Sequence, residues 1–345
     1  MTRSRKNRPT IVTVANQAGV SPTAVSQALR DTGRLSKATR TRIIKVAKEL
    51  NYVYDRRAAA FRTGQSQEIG LLIHNIANPF YAEVTIGVNS HLESLGYLVY
   101  LLDAQDDLDR QLRFLHSIRE GGAAGLMWCP AYGTDDETVA WVQESGIPTV
   151  SMLRPIEGHP FDHVGVDNFS GSRLATGRLI ELGHRHVAFV GGRKESRVRQ
   201  HQYGGYASAL SLAGLAANPA FDIPCAADKG AAAEATERLV RTAPEITAIV
   251  GYNDPVAFGA MLGLQREGLV PGKDVSVTGF DDVSEAAHWT PSLTSVSVNA
   301  RRIGAELADT LLRRKEDPDS GVRSINLPVA LIERESTGPA PESAR

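Results

Sequence analysis

The spacing of apolar residues predicts two kinds of structure along this chain. From residue 68 onward, short and nearly continuous apolar runs alternate with helical stretches. Buried parallel strands have this composition because helices cover both faces of their sheet, so the region is expected to be α/β. The candidate strands are IGLLIH (69–74), YLVYLL (97–102), AAGLMW (123–128), PTVSML (148–153), HVGV (163–166), HVAFVG (186–191), TAIVGY (247–252) and VSVTGF (275–280).

The alternation runs through two cycles, at about 68–164 and 165–292, and each cycle predicts one lobe. The chain continues with a strand at 293–298, a helix at 299–314 and a strand at 324–333. Such a continuation fits a chain that crosses back between two lobes.

These patterns predict a two-lobed body over residues 68–335. The expected boundaries are about 68–164 and 296–324 for the first lobe, and about 165–295 and 325–335 for the second. Residues 336–345 are rich in small and polar residues and are expected to form a disordered tail.

The amino-terminal region, 1–52, has the apolar spacing of three short helices. Thr10 is expected to cap the first helix, and Gly19 has the backbone freedom to end it. Ser21 then caps a second helix and Pro22 takes its first position. A third helix is expected at about 36–50. The short interval between the first two helices predicts a helix-turn-helix head.

The second helix carries a polar stripe at positions i, i+3, i+4 and i+7. Short polar side chains can read base edges in a DNA groove, while cations bind phosphate. Gln27 is expected to pair with an adenine, and Pro22 or the Thr23 methyl to pack on a thymine methyl. A small bundle that binds a protein is the alternative. The candidate DNA contacts of the head are Ser21, Pro22, Thr23, Ser26, Gln27, Arg30, Arg34, Ser36 and Thr39.

The distribution of charge supports a nucleic-acid partner. Residues 1–66 hold 14 Lys+Arg against 3 Asp+Glu, whereas the remainder holds 24 against 36, so a net charge of -1 conceals a strong asymmetry. A basic head is attracted to a polyanion, and an acidic body is repelled by it. The alternative is a solvated basic arm without a specific role.

Other classes of protein are disfavoured by what the sequence lacks. No apolar run approaches 18 residues, and the basic start is not followed by the apolar segment of a signal peptide. Cys129 and Cys225 have no metal-ligand spacing and are expected to be reduced, in a cytoplasmic protein. Glycine-rich phosphate loops and a catalytic constellation are also missing, and His184 and His186 are interpreted as structural. We therefore expect no cofactor, no metal and no enzymatic activity.

The segment TIVTVANQAGVSPTAVSQALRDTGRLSKATRTRIIKVAKELNY resembles the DNA-binding head of the lactose/galactose repressor family. The shared features are the VA..AGVS..AVS.AL core, the serine before the third helix and the terminal ELNY. The resemblance implies that Pro22, Thr23 and Gln27 occupy base-reading positions. The third position is often arginine in relatives, so Gln27 implies a different operator preference.

The resemblance also gives the linker, residues 53–67, a role. In the family this segment is a hinge helix that forms on DNA and lies in the minor groove as a symmetric pair. Ala58 is small enough for two such helices to touch, and Phe61 stands where a leucine usually wedges between base steps. An aromatic wedge can unstack a base step and kink the duplex. A plain flexible linker, with Phe61 buried against the body, is the alternative.

The body resembles the same family through NPFYAE, LGHRHVAFVGG, YNDPVAFGAM, VSVTGFDD and PSLTSV. The implied fold is a small all-α helix-turn-helix head plus an α/β two-lobed domain like the periplasmic (type I) sugar-binding proteins, with a ligand in the cleft. Open α/β sheets bind ligands beyond the carboxyl ends of their strands. The candidate effector-binding residues are Asn75, Phe80, Trp128, Arg154, Asp167, Arg193, Gln202, Asn253 and Asp281.

Two departures from the family pattern bear on the effector. Gln202 stands where arginine is usual, and Asn75 stands where aspartate is frequent. Without that arginine, a neutral sugar or polyol is favoured over a carboxylate, which would have to use residues such as Arg193.

Together these features predict a sequence-specific DNA-binding transcriptional repressor controlled by a small-molecule effector. It is expected to bind a pseudo-palindromic double-stranded operator as a homodimer, with helices near 79–95 and 110–120 as candidate interfaces. An activator or co-repressor-type regulator of a non-sugar metabolite, such as a purine or a phosphorylated compound, is the alternative. Two further classes are a sugar-binding protein without DNA function and an α/β enzyme with a basic appendage.

Overall fold

The computed structural model describes residues 9–29, 33–53 and 66–342. The chain divides into two compact units, Met1–Ser66 and Gln67–Arg345, which correspond to the head and the body.

The described residues of the head form three helices, α1 (Ile11–Ala18), α2 (Pro22–Leu29) and α3 (Lys37–Glu49). The Thr10 side chain caps α1 in a reciprocal pair with Thr13, and Gly19 ends the helix in the left-handed conformation, φ 64°. The helices pack through a small apolar core that includes Val14, Val25 and Ile43. The helix-turn-helix prediction is confirmed.

The first lobe of the body is a six-stranded parallel sheet in the order β11-β5-β4-β3-β1-β2. Helices cover both of its faces, which is why the inner strands β1, β3 and β4 are almost wholly buried. Its strands are β1 (Glu68–Ile73), β2 (Leu98–Asp103), β3 (Gly125–Trp128), β4 (Thr149–Met152), β5 (Asp162–Val166) and β11 (Ser324–Leu327), and its helices are α4 (Pro79–Leu92), α5 (Leu108–Glu120), α6 (Asp136–Glu144) and α11 (Ala300–Glu316).

The second lobe repeats this plan, with a six-stranded sheet in the order β12-β10-β9-β8-β6-β7. Its pairs are parallel except that β12 runs antiparallel to β10. Its strands are β6 (Val187–Val190), β7 (Asp222–Ile223), β8 (Ala248–Gly251), β9 (Ser276–Asp281), β10 (Thr294–Ser297) and β12 (Ala330–Ile332), and its helices are α7 (Asn168–Glu181), α8 (Arg197–Leu212), α9 (Lys229–Thr242) and α10 (Asp254–Arg266).

The chain passes between the lobes three times, after β5, after β10 and between β11 and β12. The sequence predicts one strand over 324–333, but the structure has two strands in different sheets. Pro328, which has no N–H to donate to a strand ladder, stands between them. The third crossing therefore lies at 328–329, and 325–327 belong to the first lobe rather than the second.

The prediction of a disordered tail is wrong for residues 336–342. Ser336 is fully buried and donates a hydrogen bond from Oγ to the Val277 carbonyl at 2.6 Å, and Ala340 N donates to the Leu182 carbonyl at 2.9 Å. Gly338 lies so near Gly272 that a Cβ would meet the Gly272 oxygen at 2.4 Å. The small residues that suggest disorder instead allow the backbone to pass close to the second lobe.

No helix among the described residues is long and apolar enough to cross a membrane. Cys129 and Cys225 are both free thiols, the first of them buried.

Candidate functional site

The amino-terminal end of α2 presents an exposed polar surface. Ser21, Pro22 and Thr23 are exposed, as is Arg34 beyond the helix. Exposure at the start of a recognition helix is what contact with base edges requires.

Two serines of the head cap helices and remain exposed. Ser21 Oγ accepts a hydrogen bond from Ala24 N at 3.2 Å, and Ser36 Oγ accepts one from Thr39 N at the same distance. A hydroxyl that accepts in this way can still donate its proton. Capping is thus compatible with a phosphate contact at both positions.

The remaining stripe residues are less accessible than their spacing suggests. Ser26 is only 9% exposed, so the prediction that it belongs to the DNA-facing surface is not supported. The half-buried Gln27 side chain lies over Gly33, where an added Cβ would meet Gln27 Cδ at 2.6 Å. Arg30, Ala58 and Phe61 lie outside the described residues, as does most of the 53–67 linker.

A cavity of about 410 Å³, here called the cleft cavity, lies between the two lobes of the body. It opens at the carboxyl ends of the strands, where the topology of an open α/β sheet places ligands. Seven of the nine candidate effector residues line it: Asn75, Phe80, Arg154, Arg193, Gln202, Asn253 and Asp281.

The other two candidates, Trp128 and Asp167, do not line the cavity. Trp128 is fully buried in the core of the first lobe, where its Nε1 donates to Gln111 Oε1 at 2.9 Å. Asp167 caps α7 by accepting a hydrogen bond from Ser170 N at 2.9 Å. Both follow or end a strand, but packing and capping take their side chains away from the ligand space.

The first lobe places a paired charge in the cavity. The Arg154 guanidinium donates to both carboxylate oxygens of Asp106, with Nη2 to Oδ2 at 3.1 Å, and to the Pro130 carbonyl at 2.8 Å. The central carbon of this guanidinium, Cζ, lies 3.5 Å from the centre of the Tyr132 ring. Burial favours a higher pKa for Asp106, but the hydrogen bonds and charge of Arg154 hold that pKa below its usual value. The pair is therefore ionised and largely neutral as a unit.

The second lobe contributes another carboxyl group, that of Asp281, to the lining of the cavity. Asp281 ends β9 with φ 108° and accepts a hydrogen bond from Asn78 Nδ2 in the first lobe at 3.2 Å. Burial raises the pKa of Asp281 to about 7, and the Asn78 contact opposes that rise. Asp254, buried nearby at the start of α10, also has a raised pKa because of its own burial and the charge of Asp281.

A histidine that lines the cavity, His74, is neutral. Burial, together with the charge of Arg154, lowers the pKa of His74 to about 3. Tyr81 Oη lies 2.9 Å from His74 Nδ1, and Cys129 Sγ lies 3.2 Å from the same nitrogen. These contacts position Tyr81 at the cavity wall.

Gln202 contributes an unusual hydrogen-bonding group. Gln202 is only 3% exposed, and its side-chain oxygen Oε1 has no hydrogen-bond partner among the described residues. Its Nε2 lies 3.4 Å from Asn168 Oδ1. Buried acceptors are normally paired, so this oxygen retains an unused capacity to accept a hydrogen bond.

Two amides add donors to the cavity. Asn75 and Asn253 each use Oδ1 to accept a backbone N–H, from Ala77 and Val256 respectively, both at 3.0 Å. Each side-chain NH₂ is therefore turned away from the bond that its oxygen makes. The cavity combines donors and acceptors, as a hydroxyl-rich ligand requires.

Polar contacts join the lobes around the cavity. Tyr132 Oη donates to Ser196 Oγ at 2.7 Å, and Glu157 forms an exposed ion pair with Arg197. With the Asn78 contact to Asp281, these bonds connect the two lobes.

The sequence prediction omits several residues that build this site. Asp106 and Tyr132 lie in loops after strands β2 and β3, and neither loop has a motif that identifies them. Asn78 stands in the NPFY segment already quoted for the resemblance, and its capping position before Pro79 was a usable signal.

Comparisons with known proteins agree with both parts of the structure. Residues 66–335 match the family model "Periplasmic binding proteins and sugar binding domain of LacI family", and residues 10–55 match "Bacterial regulatory proteins, lacI family". The maltose regulon regulatory protein MalI of Escherichia coli K12 is 33% identical over 332 residues, covering 94% of this chain and 97% of its own.

Two solved structures show the same fold. The transcriptional regulator CelR in complex with cellobiose is 28% identical, with a TM-score of 0.73, over 95% of this chain and 100% of its own. The Lac repressor dimer bound to operator and the anti-inducer ONPF is 24% identical, with a TM-score of 0.82, over 96% of this chain and 100% of its own.

Proposed function

The chain belongs to the LacI family of bacterial DNA-binding transcriptional regulators, and from that membership we propose that it is a repressor controlled by a neutral sugar or polyol in the cleft cavity. The head, residues 1–52, binds the operator, and the linker, 53–67, joins it to the effector-binding body. The protein acts in the cytoplasm, where its DNA lies.

The unpaired Oε1 of Gln202 is the observation that carries the choice of effector. A buried acceptor without a partner costs about 1–3 kcal/mol, and a ligand hydroxyl recovers that cost. A carboxylate or phosphate group brings acceptors to the same place and repels it. The effector therefore donates a hydrogen bond here, as a sugar hydroxyl does.

The charges of the cavity support the same choice. Asp103, Asp106, Asp228 and Asp281 line it, and Arg154 is already paired with Asp106. Arg193 forms no ion pair with any described residue, so it is the one cavity cation left to attract an anion. The balance disfavours an anionic metabolite. The related regulator CelR was solved with cellobiose, which also supports a sugar.

A ligand screen on the full chain tests the effector class. Trp128, Trp141 and Trp289 are all in the body, so tryptophan fluorescence follows its melting. Sugars or polyols are expected to raise the melting temperature, and Gln202→Leu to weaken their binding about tenfold, since the lost hydrogen bond is worth about 1.4 kcal/mol. Gln265→Leu, on the exposed face of α10, is the matched control. If only nucleobases or phosphorylated compounds raise the melting temperature, the proposal is wrong.

The proposed operator contacts divide into two classes. Pro22, Thr23 and Gln27 read bases, with Gln27 moving off Gly33 to do so. Gln27→Ala is expected to lower operator affinity by about 1–3 kcal/mol and to relax preference at one base pair. The proposed phosphate contacts are Ser21, Arg30, Arg34, Ser36 and Thr39. Arg34→Ala should weaken operator and non-specific DNA equally and reduce the salt dependence by about one charge.

The linker is proposed to act as a minor-groove hinge, with Ala58 at the helix contact and Phe61 as the wedge. Phe61→Ala is expected to weaken operator binding far more than non-specific binding. Equal losses on both DNAs would exclude the wedge.

A homodimer is proposed because such heads bind paired half-sites related by a two-fold axis. The exposed apolar side chains of the first lobe include Ile86 on α4, and Leu98 and Tyr100 on β2, an edge strand. A solvent-facing edge with these residues favours the expected α4 interface. Ile86→Asp should convert the dimer to monomer in analytical ultracentrifugation, with operator affinity lost.

A further inference from the structure

A glycine beyond helix α2 leaves the space in which the Gln27 side chain lies. Gly33 comes four residues after Leu29, the last residue of α2, and has a φ of 75°. A Cβ built on Gly33 would meet three atoms of the Gln27 amide, Cδ at 2.6 Å, Oε1 at 2.8 Å and Nε2 at 3.0 Å. Cβ atoms in proteins essentially never lie this close to another heavy atom. The amide therefore occupies the space that any other residue at 33 would fill, and this placement is here called the parked position.

The core of the head fixes Gly33 beside α2. Leu35, two residues further along the chain, packs against the same apolar cluster as Val25 of α2, and α3 begins at Lys37. The chain is therefore anchored close to Gly33 on its carboxyl side. Since the contact between Gln27 and Gly33 lies wholly within the head, docking on DNA does not by itself remove it.

No hydrogen bond holds the Gln27 amide in the parked position. Its Oε1 and Nε2 form none with a described residue, and the half-buried side chain still reaches water. Rotation about its side-chain bonds is enough to move the amide away from Gly33. This movement costs packing against the glycine α-carbon but no hydrogen bond. The extended amide then has a donor and an acceptor free for an adenine edge.

The parked position matters most at a base pair that does not match Gln27. An extended amide facing the wrong base loses water while its donor and acceptor stay unpaired, which weakens binding. A parked amide avoids that loss. Because specificity is a difference between two affinities, the parked position lowers discrimination at this base pair by making mismatched DNA easier to bind.

We propose that Gly33 is a specificity-determining residue of the head: by accommodating the Gln27 amide, it makes the protein tolerant of changes at the base pair that Gln27 reads. A side chain at 33 removes the parked position and sharpens the preference at that base pair. This assignment rests on the proposed base contact of Gln27, but it adds a residue that acts without touching a base.

Binding of the full-length protein to duplex DNA at one fixed salt concentration tests the assignment. An operator is selected from random duplexes with the unaltered protein, and each base pair of a half-site is then replaced in turn. The base pair at which Gln27→Ala flattens the preference is the one that Gln27 reads. There, Gly33→Ala should raise the ratio of the Kd for replaced DNA to the Kd for selected DNA at least threefold. At the other base pairs this ratio should change less than twofold.

Two controls separate the displaced amide from other effects of the new methyl group. In the Gln27→Ala background no amide remains to be displaced, so Gly33→Ala should change the ratio less than twofold. Gly19→Ala places the same residue at another left-handed glycine of the head, φ 64°, where a Cβ would meet nothing within 4 Å. It carries comparable backbone strain and should leave the base preference unchanged.

The outcomes separate the two proposals. If Gln27→Ala leaves the preference unchanged at every base pair, the proposed base contact fails and the Gly33 assignment fails with it. If Gln27→Ala flattens one preference but Gly33→Ala does not raise the ratio there, or raises it equally in the Gln27→Ala background, only the Gly33 assignment is excluded. If Gly33→Ala does not fold, Gly33→Asn decides between the same results, because asparagine tolerates the left-handed conformation.

Discussion

The two lobes of the body share one strand order, yet they place opposite kinds of carboxyl group on the walls of the cleft cavity. Asp106 in the first lobe is clamped by Arg154, and its pKa is lowered. Asp281 in the second lobe has Asn78 as its side-chain partner, and burial raises its pKa to about 7. Similar frameworks thus produce a fixed charge on one side and a titratable group on the other.

The difference shows that the identity of the partner, more than burial, decides the state of a buried carboxyl. Both groups are removed from water, which by itself raises a carboxyl pKa. A guanidinium with two hydrogen bonds reverses that effect, and a neutral amide does not. The first lobe can therefore orient a ligand at any physiological pH, whereas the second lobe gains or loses a charge near neutrality.

The largest expected effect comes from breaking the fixed pair. Arg154→Met leaves the Asp106 carboxylate buried without its counter-ion, so the free energy of unfolding of the body should fall by about 3 kcal/mol. Urea unfolding followed by tryptophan fluorescence measures it. Adding Asp106→Asn removes the stranded charge and should recover part of the loss. A double variant as unstable as the single one would show that the charge is not the cause.

The next effect concerns Asp281, the titratable carboxyl group of the second lobe. Between the unfolded pKa of aspartate, about 3.9, and the folded value of about 7, the folded state holds a proton at Asp281 that the unfolded chain has released. Stability should therefore fall as pH rises through this window and then level off. In the Asp281→Asn variant, the fall in the free energy of unfolding across this window should be about 2 kcal/mol smaller. This value allows for partial exposure of the carboxyl group.

The control for this prediction is built into the comparison. Asp254, whose raised pKa gives a slope of the same sign, is present in both proteins, but its contribution cancels only in part because the charge of Asp281 raises its pKa. Parallel stability curves for Asp281→Asn and the unaltered protein between pH 4 and 8 would show that Asp281 is not the titrating group.

A smaller change sharpens the contrast by adding a like charge. Asn78→Asp keeps an oxygen to cap α4 but places a second carboxyl beside Asp281, which raises one pKa of the pair. The falling part of the stability curve should extend upward by about one pH unit, or about 1.4 kcal/mol. A curve that ends at the same pH would mean that Asn78 and Asp281 are apart in solution.

The smallest effect is expected from the exposed pair that also joins the lobes. Glu157 and Arg197 are each about 60% exposed, so water and salt screen them. Glu157→Gln should leave the unfolding free energy within error at both low and high salt. A loss comparable to that of Arg154→Met would contradict the view that burial makes the Asp106 pair important.

The sequence was sufficient for most elements and for the general position of the site. Near-continuous apolar runs located the strands to within a residue or two, as for β8, expected at 247–252 and found at Ala248–Gly251. The two-residue β7 is too short to form any pattern. The division of 324–333 between two sheets depends on which neighbours each half meets, and local composition does not encode that.

The errors in the site have a similar origin. Trp128 ends a strand, as a ligand contact is expected to do, but its side chain packs in the core of the first lobe and bonds Gln111 there. Asp106 was omitted because its importance depends on Arg154, which lies 48 residues away in sequence. Pairings of this kind arise only when the fold brings two loops together.

The crossings between the lobes give the cleft cavity a direct mechanical role. Val166 and Asn168 flank the first crossing and Val298 lies in the second, and all three line the cavity. A molecule that fills the cavity would therefore contact two of the three segments that join the lobes. Transmission from ligand to lobe angle then needs no relay of intermediate residues, and substitutions at these three positions should alter the allosteric response even where affinity is unchanged.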